Sequence, residues 1–165
     1  VTFSPELLAK ADALHSVCRE KGLKIAVAES CTGGLLAGLL TELAGSSEAF
    51  DRGFVTYSNE AKHDLLGVPR DLLADYGAVS EPVARAMAEG ALNVARVDLT
   101  VSVTGVAGPG GGSAMKPVGL VHFGACRRGR GTVHEVHRFG DLSRAEIRLK
   151  ALENAMDMLL RLAAG

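Results

Sequence analysis

The sequence contains no tryptophan, and aromatic side chains make up only 4% of its 165 residues. A core must therefore be aliphatic, assembled from Leu, Val, Ala and Ile. An excess of charge of either sign is also missing: 18 Lys and Arg face 19 Asp and Glu, for a formal net charge of -1. That balance gives no general electrostatic drive toward nucleic acid or an anionic membrane. No apolar run approaches the roughly 20 residues of a membrane span. The first residues carry Glu6 and Asp12 in an amphipathic stretch, with no basic segment leading into an apolar one, so no signal peptide is expected. Three cysteines, Cys18, Cys31 and Cys126, are an odd number at wide spacing. They exclude a disulfide framework, disfavour zinc, and make the cytoplasm the expected compartment. The length fits one domain over residues 1–165 with one core.

Glycine is plentiful: 20 residues gathered in a few places, so they read as positional. Between them helical and strand patterns alternate. Residues 5–21 repeat Leu7, Leu8, Ala11, Leu14, Val17 and Cys18 at helical spacing, opened by Ser4-Pro5 and stopped by Gly22. Residues 24–29 read as a buried strand and 35–43 as an apolar helix, with Ser30-Cys31-Thr32-Gly33-Gly34 as the tight turn between them. A second strand is expected over 54–57, a short helix over 59–66, and a helix over 83–94 started by Ser80-Glu81-Pro82. A strand over 98–104 leads into a glycine-rich loop at 105–112. Two antiparallel strands at 119–126 and 132–139 follow, joined by a basic tip at Arg127, Arg128 and Arg130 that reads as solvated. Residues 143–162 form a long amphipathic helix. The pattern predicts an α/β fold: a single layered α/β/α domain with a mixed sheet and a C-terminal helix.

Three segments can carry chemistry. In the first, Ser30 sits at a strand's end and enters a helix through Thr32, Gly33 and Gly34. First-turn amides lack internal partners and can hold a phosphate or an oxyanion. The plain alternative is that Ser30 or Thr32 only caps the helix. In the second, Tyr57-Ser58-Asn59-Glu60-Ala61-Lys62, a lysine can act as a base if burial or a neighbouring cation keeps it neutral. Most lysines are instead solvated surface charges. Tyr57 could relay the proton or hold the amine's geometry. In the third, Thr104, Gly105, Ala107, Gly108, Gly110 and Gly111 follow a strand directly, where successive amides can face an anion. The spacing does not match a dinucleotide-binding fingerprint, and no Walker lysine follows the first turn. Cys31 is a second candidate nucleophile. The histidines form no metal cluster: His134 and His137 should face opposite sides of a strand, and His122 and His15 stand alone.

These segments together resemble the CinA C-terminal domain family. The resemblance rests on Ala28 to Gly34, Val55 to Lys62, Gly77-Ala78-Val79-Ser80, Ser102 to Gly112 and Lys116-Pro117-Val118-Gly119, in order along nearly the whole chain. It departs at His63, where an apolar or larger basic residue is common, and at Leu142, where the family often shows arginine. The resemblance implies a layered α/β/α fold, often dimeric. It also implies hydrolysis of nicotinamide mononucleotide to nicotinic acid mononucleotide and ammonia. The family's catalytic serine, lysine and tyrosine fall on Ser30, Lys62 and Tyr57. The loop after Thr104 looks like its substrate-binding loop. No metal or other cofactor is expected, and the expected partner is a small nucleotide substrate. A non-catalytic nucleotide-binding or regulatory module would use the same glycine segments without Lys62 as a base, and an amidase or esterase for another small substrate would use all three.

Overall fold

The computed structural model describes residues 2–165. In chain order it runs α1 (Pro5–Lys21), β1 (Ile25–Glu29), α2 (Leu35–Leu40), a 3₁₀ turn (Ser46–Glu48), β2 (Phe50–Val55), α3 (Asn59–Leu66), α4 (Arg70–Tyr76), α5 (Glu81–Val94), β3 (Leu99–Gly105), β4 (Leu120–Arg127), β5 (Val133–Arg138) and α6 (Arg144–Ala164). The strands form one mixed sheet in the order β2-β1-β3-β4-β5. The first three are parallel, and β4 and β5 add to them as an antiparallel hairpin. The fold is thus the expected α/β layering with a mixed sheet and a terminal helix.

Strand alternation decides what faces each layer. On β1, Ile25 and Val27 point into the core shared with α1, α2 and α6, whereas Ala26 and Ala28 point toward the side covered by α3, α4 and α5. On β3, Leu99, Val101 and Val103 enter the first core. Thr100, Ser102 and Thr104 face the other way, where their hydroxyls donate to the carbonyls of Ala88, Ala84 and Ala78 at 2.9, 2.6 and 2.9 Å. Three buried hydroxyls thereby fix α5 and the segment before it against the sheet. Gly90, in the middle of α5, lets α3 come close: a Cβ there would lie 2.0 Å from the Leu66 carbonyl oxygen.

Several local expectations are corrected. The second strand starts at Phe50 rather than Phe54, and α2 ends at Leu40 rather than Leu43. α4 was not anticipated: seven residues between Pro69 and Gly77 are too few to display a helical period. The basic tip is not simply solvated. Arg127 donates to the Leu162 carbonyl at 2.7 Å, and Arg128 donates to Val97 and Leu92 at 2.9 and 2.7 Å, closing the C-terminal ends of α6 and α5. His122 does not stand alone. Its Nδ1 lies 2.9 Å from His134 Nε2 across the hairpin, where burial first and His134 second hold its pKa down to about 4.

The turn after β1 is the most specified piece of backbone. Gly33 and Gly34 take φ values of 57° and 104°, which an L side chain rarely adopts. Neither Ser30 nor Thr32 caps α2; its N-cap is Gly34, without a side-chain bond. The helix terminus is filled instead by Glu29, which is fully buried. Its Oε1 accepts from the amides of Gly34 and Leu36 at 3.2 and 2.9 Å, and its Oε2 accepts from Ala37 at 2.9 Å. Charge-assisted bonds at a helix N-terminus compensate the buried carboxylate. Glu29→Gln would turn an NH₂ against an amide donor. We expect it to cost about 2 to 3 kcal/mol, read as a fall of roughly 5 to 10 °C in melting temperature; an unchanged melting temperature would refute this role.

Candidate active site

Because Glu29 points toward α2, the next residue must point the opposite way, and Ser30 enters the side occupied by α3. Its backbone amide donates to the Val103 carbonyl at 2.9 Å, so β3 holds it in line with β1. The helix that meets it is fixed locally. Ser58 caps α3 by accepting from the Ala61 amide at 3.0 Å, and Thr56, also buried, donates its amide to the Glu29 carbonyl at 2.8 Å. One turn into α3, Lys62 runs back toward the sheet. Its Nζ lies 3.0 Å from Ser30 Oγ and 2.7 Å from the Thr56 carbonyl oxygen.

Lys62 is 1% exposed, and no carboxylate lies within ion-pair distance of it among the described residues. Burial therefore pulls its pKa down from 10.5 to about 8. In the ammonium form it donates to both Ser30 and Thr56. Once neutral it keeps the bond to Thr56 and presents a lone pair to the serine hydroxyl. The same burial pushes the Cys31 thiol up to about 11, which removes the thiolate that a nucleophilic cysteine requires.

Ser30 and Lys62 open onto a cleft of about 240 Å³ at the C-terminal ends of β1, β2 and β3. Tyr57, Thr104, Gly105 and Ala107 also border it, as expected from sequence. Thr32, Gly33, Gly34, Gly108, Gly110 and Gly111 do not form its wall. The Gly33 amide is already committed to the Ser30 carbonyl at 3.0 Å and that of Gly34 to Glu29. Two amides of this turn donate to no other described residue: that of Cys31, which borders the cleft, and that of Thr32, which is fully buried and does not. Tyr57 bonds neither Ser30 nor Lys62; its hydroxyl, on a side chain 63% exposed, accepts from Arg144 at 3.2 Å.

Sequence reasoning missed two arginines. Arg144, at the first position of α6, lines the cleft and donates to the Gly108 carbonyl at 2.7 Å, tying the glycine-rich loop to Tyr57. It stands two positions after the departure at Leu142. Arg148, one turn later, donates to the Cys31 and Thr32 carbonyls, each at 3.1 Å. The available signal was a pair of arginines four apart in the first turns of a helix, which therefore share a face. Among the described residues, no three His, Cys, Asp or Glu side chains converge as metal ligands would. A groove of similar size, about 220 Å³, lies between α1 and α6 around Leu7 and Leu149; its one hydroxyl, that of Ser4, is engaged as the N-cap of α1.

No helix among the described residues is long and apolar enough to cross a membrane. The profile of the CinA C-terminal domain matches residues 8–163. A CinA-like protein of Syntrophobacter fumaroxidans is 54% identical over 87% of this chain, and the chain spans only 33% of that relative's length. A nicotinamide-nucleotide amidohydrolase PncC of Enterobacter agglomerans is 53% identical over 90% of both chains. The crystal structure of the competence/damage inducible protein CihA from Agrobacterium tumefaciens superposes with a TM-score of 0.96 at 49% identity, covering 98% of each chain. With a family profile spanning nearly every residue and the same fold in its relatives, the chain belongs to the CinA C-terminal domain family.

Proposed function

We propose that this chain hydrolyses nicotinamide mononucleotide to nicotinic acid mononucleotide and ammonia, with Ser30 as nucleophile and Lys62 as base. The observation that carries the reading is the buried amine 3.0 Å from the serine hydroxyl, with no counter-ion to keep it charged. Relatives named nicotinamide-nucleotide amidohydrolase, at 53% and 47% identity over most of this chain, supply the substrate class.

Neutral Lys62 takes the Ser30 proton, and Oγ attacks the carboxamide carbon as the carbonyl π pair moves onto oxygen. The Cys31 amide, on a residue that borders the cleft, receives that oxyanion; one such donor is typically worth about 3 to 4 kcal/mol. The Lys62 ammonium returns its proton to the amide nitrogen, the C–N bond breaks and ammonia leaves. Water then attacks the acyl-serine, giving its proton to Lys62, and the proton returns to Ser30 as the acid departs. The contact between Lys62 and Ser30 is direct, so no relay through Tyr57 is needed. Tyr57 instead borders the cleft. Arg144, between Tyr57 and the glycine-rich loop, is the cation placed to take the substrate's phosphate.

Ser30→Ala should remove ammonia release from nicotinamide mononucleotide by at least about 10³-fold, measured beside the wild-type protein; ordinary turnover in the variant would end the assignment. Only the neutral amine is active, so kcat/KM should rise with pH through a midpoint near 8 and level off above it. A flat profile between pH 6 and 9 would contradict this.

Lys62 also predicts a stability effect. Its folded pKa lies below its unfolded value, so the folded state disfavours the proton. The penalty is full below pH 8 and fades as pH rises toward 10.5. At neutral pH it is on the order of 3 kcal/mol. Lys62→Met should therefore abolish turnover yet melt no lower than wild type at pH 7; a clear fall in melting temperature would show that the amine is held for stability.

A further inference from the structure

The mechanism uses the Cys31 amide, which Glu29 does not reach, since that carboxylate engages only donors from Gly34 onward. The turn that carries it is held from across the fold. The Nε and Nη2 donors of Arg148 meet the carbonyls of Cys31 and Thr32 at 3.1 Å each, two successive peptide groups held by one planar fork. In a trans peptide the C=O and the following N–H point in opposite directions. Anchoring the Cys31 carbonyl therefore turns the Thr32 amide away from the arginine. The Thr32 carbonyl, which also accepts from the Leu35 amide at 3.0 Å, likewise turns the Gly33 amide onto the Ser30 carbonyl at 3.0 Å, and holding that carbonyl sets the direction of the Cys31 amide in the same peptide group. The lack of a side chain at Gly33 makes the approach possible, because a Cβ there would already stand 3.1 Å from Nη2.

The start of α6 is equally fixed. Ser143 and Glu146 form a reciprocal capping box, which sets the helix phase and so the position of Arg148 one turn on. α6 in turn packs its buried face on the core beneath β3.

We propose that Arg148 is a positioning residue that holds the turn so that the Cys31 amide meets the oxyanion formed on the substrate, its charge and fork acting through the backbone and not by touching substrate. This inference rests on the reading of Ser30 as nucleophile. Arg148 is distinct in task from Arg144, which faces the cleft. Loss of Arg148 leaves Ser30, Lys62 and the rest of the cleft wall in place but lets the Cys31 amide swing. The chemical step should suffer, while substrate affinity and the base's titration should not.

The test uses two reactions on the intact chain: ammonia release from nicotinamide mononucleotide, and phosphonylation of Ser30 by an alkyl fluorophosphonate. In the latter, Oγ forms a bond to phosphorus, fluoride leaves and Lys62 takes the proton. In Arg148→Ala, kcat and the phosphonylation rate should both fall 10- to 100-fold. KM should stay within about threefold, the pH midpoint should remain near that of wild type, and methylguanidinium should restore part of the rate. Arg148→Lys, which can hold one carbonyl but not two, should fall between. Rates within twofold of wild type in Arg148→Ala, or a rise in KM with kcat unchanged, would overturn the proposal. So would a loss of rate in Arg148→Lys that follows its loss of melting temperature. If wild type is phosphonylated at Ser30 but releases no ammonia, the substrate reading fails and the phosphonylation arm alone decides the role of Arg148. If Ser30 in wild type does not react at all, the nucleophile reading fails and this inference with it.

Discussion

An amine buried without a counter-ion is the constraint on which this site depends. Lys62 touches two neutral oxygens and is almost without solvent. Water would stabilise its ammonium, and so would a carboxylate, but neither is supplied. The nearest acid along the chain to the nucleophile, Glu29, is one residue away and fully buried, yet strand alternation sends it to the opposite face, where it serves α2. Had Glu29 and Lys62 met, their ion pair would have held the proton on the amine and silenced it as a base. The placement of these two charges on opposite faces of β1 is therefore a chemical requirement as well as a packing result.

The sheet order supplies the room. The chain leaves β1 to build β2 on one side and returns to build β3 on the other, so the connections diverge at the C-terminal ends of the strands. Such a switch point opens a crevice in an open α/β sheet without carving a cavity from the core. Ser30 and Thr104 reach it from the ends of β1 and β3 and Tyr57 from just past β2, and α3 and α6 close it from two sides. Rigid elements thus hold every reacting group, while Arg144 ties the Gly108 carbonyl of the glycine-rich loop to the start of α6.

Much of this was legible in the chain. The strand–turn–helix around Ser30 and the short helix that carries Lys62 follow from local pattern, and the expected pairing of the two residues from family resemblance. What stayed hidden depends on distant contacts. Glu29 reads as one more residue of a buried strand, because its partners are amides of a helix that is only six residues long. Arg144 and Arg148 read as the polar face of an amphipathic helix, since nothing local shows which loop that face meets. The pairing of His122 with His134 needs the hairpin register, which places Gly124 opposite His134 and so brings His122 diagonally beside it. The amides of Gly33 and Gly34 looked free for an anion because the groups that occupy them, the Ser30 carbonyl and the Glu29 carboxylate, lie upstream in the chain.

The buried and half-buried charges around the turn are handled in two ways, and the contrast separates structure from chemistry. Glu29 has three donors, and Arg148 and Arg144 have carbonyl acceptors, so each is compensated where it stands. Lys62 alone is given fewer charged partners than its charge requires, and the fold loses stability on that account at neutral pH. A satisfied ion holds its proton tightly and its neighbours still, which suits a scaffold. A frustrated one gives up its proton near neutrality, which suits a base. In this domain the compensated charges fix the peptide groups of the turn and the loop. The uncompensated one is left to react, and the first set is what keeps the second from relaxing into a comfortable ion pair.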